Sequence, residues 1–88
     1  MIRVEAIDRT TFKVVVEDGA TTSHTVTVTP EYYEKLTGGR VPPETLVERS
    51  FEFLLARESN TSILRSFALP VISHYFPESE QTIRGMLS

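Results

Sequence analysis

The feature that most constrains this chain is a change of hydrophobic period at Thr29-Pro30. Before it, apolar residues recur every second position; after it, they recur at helical spacing. Ile2, Val4 and Ala6 alternate with Arg3, Glu5 and Ile7, and Phe12, Val14 and Val16 alternate with Lys13, Val15 and Glu17. Val26 and Val28 alternate with Thr25, Thr27 and Thr29. Period two places each set on one face of a sheet. A one-residue slip would invert every side chain, so making the apolar faces coincide fixes the register. That requirement pairs Ala6 with Phe12 and Val4 with Val14, leaves Asp8-Arg9-Thr10 as a three-residue loop, and sets Glu5 opposite Lys13. Asp18-Gly19 opens a second hairpin turn through Thr22. Residues 1–29 therefore read as an antiparallel meander of order 1-2-3, with Val14-Val15-Val16 central.

Beyond residue 29 the punctuation is helical. Thr29-Pro30-Glu31 supplies a hydroxyl cap, a proline at the first helical position and an acid near the positive helix end. Thr37-Gly38-Gly39 stops that helix. Val41-Pro42-Pro43-Glu44 opens a second, expected to run to about Glu58 with Leu46, Val47, Ser50, Phe51, Phe53 and Leu54 on a broad buried face. Ser59-Asn60-Thr61-Ser62 reads as a polar break capping a helical turn through Ile63, Leu64 and Phe67. Ile72, Tyr75 and Phe76 share a face between Pro70 and Pro77, and Glu78 to Leu87 can form a last amphipathic helix. The expected fold is one α+β domain over residues 1–88. It comprises the meander (1–29), two helices (30–58) and a short helical tail (59–88), with three to four helices on one sheet face.

Composition removes several function classes. Eighty-eight residues suit a single domain, and 40% apolar residues suffice for its core. Zero cysteines excludes a thiolate metal site, a thiol nucleophile and a disulfide scaffold. The opening residues carry charges where a signal peptide needs an apolar stretch, and no apolar run approaches the ~20 residues that span a bilayer. The expectation is a cytoplasmic protein with no membrane partner. Nine basic against twelve acidic residues give a net charge of −3, which disfavours phosphate backbones and makes nucleic acid a poor expected partner.

No catalytic, cofactor-binding or metal site is expected. His74 and Glu78 have a metal-ligand spacing of four, but Pro77 interrupts the helix and no further ligand completes a sphere. Ser73, His74 and Asp8 supply the residue types of a hydrolytic triad without a nucleophile elbow. Gly38-Gly39-Arg40 is followed by Pro42 and Pro43, which lack two of the donors a phosphate loop would use. Glu44, Glu48 and Glu52 form an acidic row on a helix, partly relieved by Arg49; its bland reading is a solvated face, the alternative a strip for a basic partner.

Residues His24 to Arg57 resemble a ribbon-helix-helix module: a strand Thr25-Val26-Thr27-Val28-Thr29, a helix, a glycine turn and a second helix carrying Leu46, Val47, Phe51 and Leu54. The resemblance implies a dimer whose paired strands enter the DNA major groove, reading through Thr25, Thr27 and Thr29. The strong base readers are absent from that set, and Pro42-Pro43-Glu44 stands where the family's second helix holds a phosphate. Separately, Ser50-Phe51-Glu52-Phe53-Leu54-Leu55, Ser62-Ile63-Leu64, Phe67, Val71-Ile72 and Tyr75-Phe76-Pro77-Glu78 resemble a recurring pattern in small bacterial proteins of unassigned function. That resemblance implies a bacterial cytosolic origin and no activity.

Strand 3 of the meander is an edge of Thr and Val with no lysine, proline or inward charge to block pairing. It must be covered by the chain's own helices, paired in a homodimer, or offered to a partner strand. The expected function is thus a small non-catalytic protein-interaction module. Its expected interaction edge is Thr25, Thr27 and Thr29 with the neighbouring Tyr32 and Tyr33, and its partner a protein or a second copy. The alternative is a DNA-binding regulator of the ribbon-helix-helix or antitoxin type.

Overall fold

A four-stranded sheet of order β1-β2-β3-β4 carries helices on one face, in a computed structural model that describes residues 1–87. β1 (Ile2–Ala6), β2 (Thr11–Asp18) and β3 (Ala20–Thr27) form the antiparallel meander. Its register is the one the alternation demands: Val4 opposite Val14, Ala6 opposite Phe12, Glu5 opposite Lys13. The second hairpin is tighter than the sequence suggested. Asp18 faces Ala20 across Gly19 alone, whose φ of 80° lies where only glycine is comfortable. β3 consequently starts five residues earlier than its valines indicate.

The expected three-stranded, wholly antiparallel sheet is corrected by β4 (Ser66–Ala68), which pairs parallel to β3 with Thr25, Val26 and Thr27 opposite Ser66, Phe67 and Ala68. Thr25 donates its N–H to the Arg65 carbonyl at 2.8 Å, and Leu69 donates to the Thr27 carbonyl at 2.9 Å. Strand 3 is therefore not a free edge at these residues, and its cover is another strand of the same chain. The expected helical turn through Ile63, Leu64 and Phe67 is replaced by a 3-10 turn, Asn60–Ser62, followed by extended chain. Three apolar residues at i, i+1 and i+4 fit either structure, and the unfilled backbone groups of β3 decide for the strand.

The helices are α1 (Pro30–Thr37), α2 (Pro43–Leu55), α3 (Val71–Tyr75) and α4 (Ser79–Leu87). The Thr29 hydroxyl accepts the Tyr32 N–H at 3.2 Å, and Gly38 closes α1 at φ 64°. α2 ends at Leu55, three residues short of expectation. It lays Leu46, Val47, Phe51 and Leu54 into the core with Phe12, Val14, Val16 and Val26 from the sheet. Phe53 is also buried and meets Phe76 edge-on at 5.8 Å. Burying Phe51 and Phe53 within one turn makes α2 the central element: truncating either to alanine costs about 3–5 kcal/mol. The opposite sheet face, with Arg3, Glu5, Lys13, Glu17, Thr21, Ser23, Thr25 and Thr27, is open to solvent. No helix is long and apolar enough to cross a membrane among the described residues.

Candidate functional site

Thr25 and Thr27 project from β3 onto the open face, while their backbone groups are taken up by β4. A ribbon-helix-helix strand pairs with its counterpart from a second chain; here Thr25–Thr27 have β2 on one side and β4 on the other. Thr29 is the cap of α1. Tyr32 and Tyr33 are half-buried against the core, on the helical side of the sheet. The Tyr33 hydroxyl donates to the Val41 carbonyl, and that of Tyr32 donates to the Glu80 carboxylate at 3.0 Å. The five residues do not converge on one surface.

Tyr32, Glu80 and Lys35 form a small polar cluster joining α1 to α4. Lys35 Nζ lies 3.2 Å from Glu80 and sits over the Tyr32 ring at 5.7 Å. Burial, reinforced by the neighbouring carboxylate, pushes the Tyr32 phenol well above its usual range. Burial also works against the Glu80 carboxylate, but the Tyr32 hydroxyl, Lys35 and the charge of Arg84 outweigh it and lower its pKa. This cluster fixes helix packing and presents no open site.

A second polar group lies inside the core. His24 and Thr22 are buried on the apolar face of β3, and Asn60 is buried above them. A carbonyl can only accept, so His24 Nδ1 carries a proton and donates it to Leu64 O at 2.7 Å. In the neutral imidazole, Nε2 then accepts from the Thr22 hydroxyl at 2.9 Å. The Thr22 oxygen accepts from the Asn60 amide at 3.2 Å, and that amide also donates to Ala20 O at 2.8 Å. The chain Asn60–Thr22–His24–Leu64 pins residues 60–64 onto the sheet. It is the buried counterpart of the β3–β4 pairing.

That anchoring sets residues 62–64 in the wall of an apolar cleft. With its carbonyl tied inward, Leu64 leaves its side chain 49% exposed. Tyr75 on α3 lines the same cleft and is 67% exposed. Both line a cavity of about 300 Å³ together with Leu54, Ile63, Phe67, Ile72 and Phe76. Pro70 and Pro77 bracket the five-residue α3, which holds Tyr75 at the rim. The lining contains one carboxylate, Glu58, which makes no ion pair among the described residues. The chemistry available is desolvation of an apolar group beside a single carboxylate and the Ser62 hydroxyl, which lies 3.2 Å from Ser59 Oγ.

The remaining sequence candidates separate. Pro77 parts α3 from α4, so His74 and Glu78 share no helix face; Glu78 lies 3.6 Å from Arg57 instead. The Ser73 hydroxyl donates to Pro70 O, His74 is exposed outside the cleft lining, and Asp8 accepts the Thr10 N–H. Gly38 and Gly39 form the αL stop of α1. Arg49 bridges Glu52 at 2.9 Å and Glu48 at 3.6 Å, relieving the acidic row as expected. No group of three or more His, Cys, Asp or Glu residues could hold a metal ion among the described residues.

Sequence reasoning missed His24 and Asn60. The alternation of Val26 and Val28, extended two steps back, puts His24 and Thr22 on the core face, so one of the two carried a readable signal. Asn60 carried none. Compared with known proteins, the chain matches no family model, no curated protein and no solved structure.

Proposed function

We propose that this chain is a protein-interaction module that takes an apolar side chain of a partner segment into the cleft between α2, β4 and α3. The observation that carries the reading is the pair of exposed apolar residues, Leu64 and Tyr75, that both line one formed, mostly apolar cavity. Isolated exposed apolar residues are ordinary, but two that line one apolar cavity add to a contiguous patch of the kind interfaces use. The cavity admits a leucine- or phenylalanine-sized group, whose full burial is worth about 1.5–3 kcal/mol. Glu58, the one unpaired charge in the lining, favours a basic residue beside that anchor. A protein contact is favoured over nucleic acid because the net charge is −3 and the open sheet face mixes Arg3 and Lys13 with Glu5 and Glu17.

The test is an NMR titration of the isotope-labelled chain with short peptides holding one leucine or phenylalanine next to arginine. Shifts should concentrate at Leu64, Phe67 and Tyr75. Tyr75→Ser should weaken binding about tenfold without moving the melting temperature, as expected for an exposed anchor. Glu58→Gln should matter for the arginine peptides and not for neutral analogues. Shifts confined to the open sheet face, or none at all, would remove the proposal.

A further inference from the structure

The sheet has two edges, and the longer one, β1, is unpaired on its outer side. Met1 and Glu17 exchange backbone hydrogen bonds, and Ile7 donates to Thr11, so residues 1, 3, 5 and 7 face β2. Ile2, Val4 and Ala6 therefore direct their N–H and C=O groups outward. An antiparallel mate bonds to such an edge only where its own outward residues stand opposite. For a second copy, that restricts self-pairing to a few registers, centred on Arg3, Val4 or Glu5.

Charge chooses among these registers. A two-fold axis at Arg3 or Glu5 would place like charges directly opposite each other. An axis at Val4 sets Arg3 opposite the second copy's Glu5, twice, on the open face. The same register brings Met1 opposite Ile7, again twice. Met1 and Ile7 are 74% and 58% exposed, and with Leu64 and Tyr75 they make up the large apolar side chains left exposed among the described residues. On the helical side, Glu48 and Glu52 of α2 flank a shallow depression beside Met1 and Ile2, but Arg49 already partners both.

We infer that two copies of this chain pair antiparallel through β1 about a two-fold axis at Val4, extending the sheet to eight strands. The contact is independent of the cleft between α2 and α3. A seam of seven residues per chain is smaller than a standard interface, so the dimer forms in a concentration-dependent way.

Sedimentation velocity from about 10 μM to about 1 mM tests this, a span chosen to cover weak association. Arg3→Glu and Glu5→Arg should each weaken the dimer about tenfold, since each replaces two attractive pairs by two repulsive ones. Both side chains are exposed, and melting curves check that each variant folds. An equimolar mixture of the two variants should restore association, because every cross-strand pair is then of opposite sign; so should the double exchange within one chain. In the unsubstituted protein, amides of Ile2, Val4 and Ala6 should become slower to exchange as concentration rises. A strictly monomeric chain at 1 mM overturns the inference, leaving the edge to some other strand. So does a dimer indifferent to these substitutions, or one whose newly protected amides lie at Ser66–Ala68.

Discussion

Replacing Thr22 by valine removes one hydroxyl, conserves the branched shape, and adds apolar surface to a buried site. Simple hydrophobicity predicts a gain. The hydrogen bonds predict a loss. Thr22 is the sole partner of His24 Nε2 at 2.9 Å, on a ring only 1% exposed, so its removal strands a buried acceptor. That alone costs about 1–3 kcal/mol. The Asn60 amide keeps Ala20 O but falls back on the 3.5 Å approach to Val16 O, adding a loss of about 0.5–1 kcal/mol. The expected total is about 1.5–4 kcal/mol. At roughly 4–8 °C per kcal/mol for a domain this size, the melting temperature drops by about 6–30 °C. Thr22→Ser retains the hydroxyl and should cost no more than about 1 kcal/mol. Urea denaturation followed by circular dichroism measures both variants, and a double-mutant cycle with Asn60→Ala should show coupling because the two share a bond. A neutral or stabilising Thr22→Val, with Thr22→Ser no better, would refute the hydrogen-bonded account of residues 60–64.

Two further predictions concern the helix cluster and the sheet. The depressed Glu80 pKa means that its stabilisation is fully present above the ordinary value of 4.5 and is lost as pH falls through the folded value. Glu80→Gln should therefore lower stability by about 1 kcal/mol at neutral pH and flatten the acid-side decline in thermal melts. The raised Tyr32 pKa works on the other side: its contribution is complete below the ordinary value of 10.0 and drains away above it, so Tyr32→Phe should flatten the alkaline decline. Amide exchange at low protein concentration should find Thr25 and Leu69 protected and Ser23, on the same side of β3 but past the end of β4, much faster. Equal rates for Thr25 and Ser23 would mean that β4 does not hold the edge.

The pairing of β3 with β4 also explains why the sought interaction edge was displaced. The sequence correctly shows a Thr- and Val-rich strand without blocking residues, and such an edge is normally covered. What covers it is Ser66-Phe67-Ala68, three residues with no alternation of their own and a spacing that fits a helical turn equally well. The proposed interaction surface is instead what β4 and α3 leave exposed: Leu64, Tyr75 and the cavity they line. The sequence places Ile72, Tyr75 and Phe76 on one face between Pro70 and Pro77 but does not show the cavity they line.

By itself, the sequence determined the features that a short window encodes. The Val4–Val14 register follows from alternation, the start of α1 from the Thr29 hydroxyl, its stop from Gly38, and the break between α3 and α4 from Pro77. Each depends on steric or hydrogen-bonding preferences acting over a few residues. Only the tertiary structure decided the parallel β3–β4 pairing, the burial of Asn60 against Thr22, and the bond from His24 to Leu64 across 40 residues of chain. No local preference of either partner specifies these contacts. They form because buried donors and acceptors left without water must find one another once the core has closed.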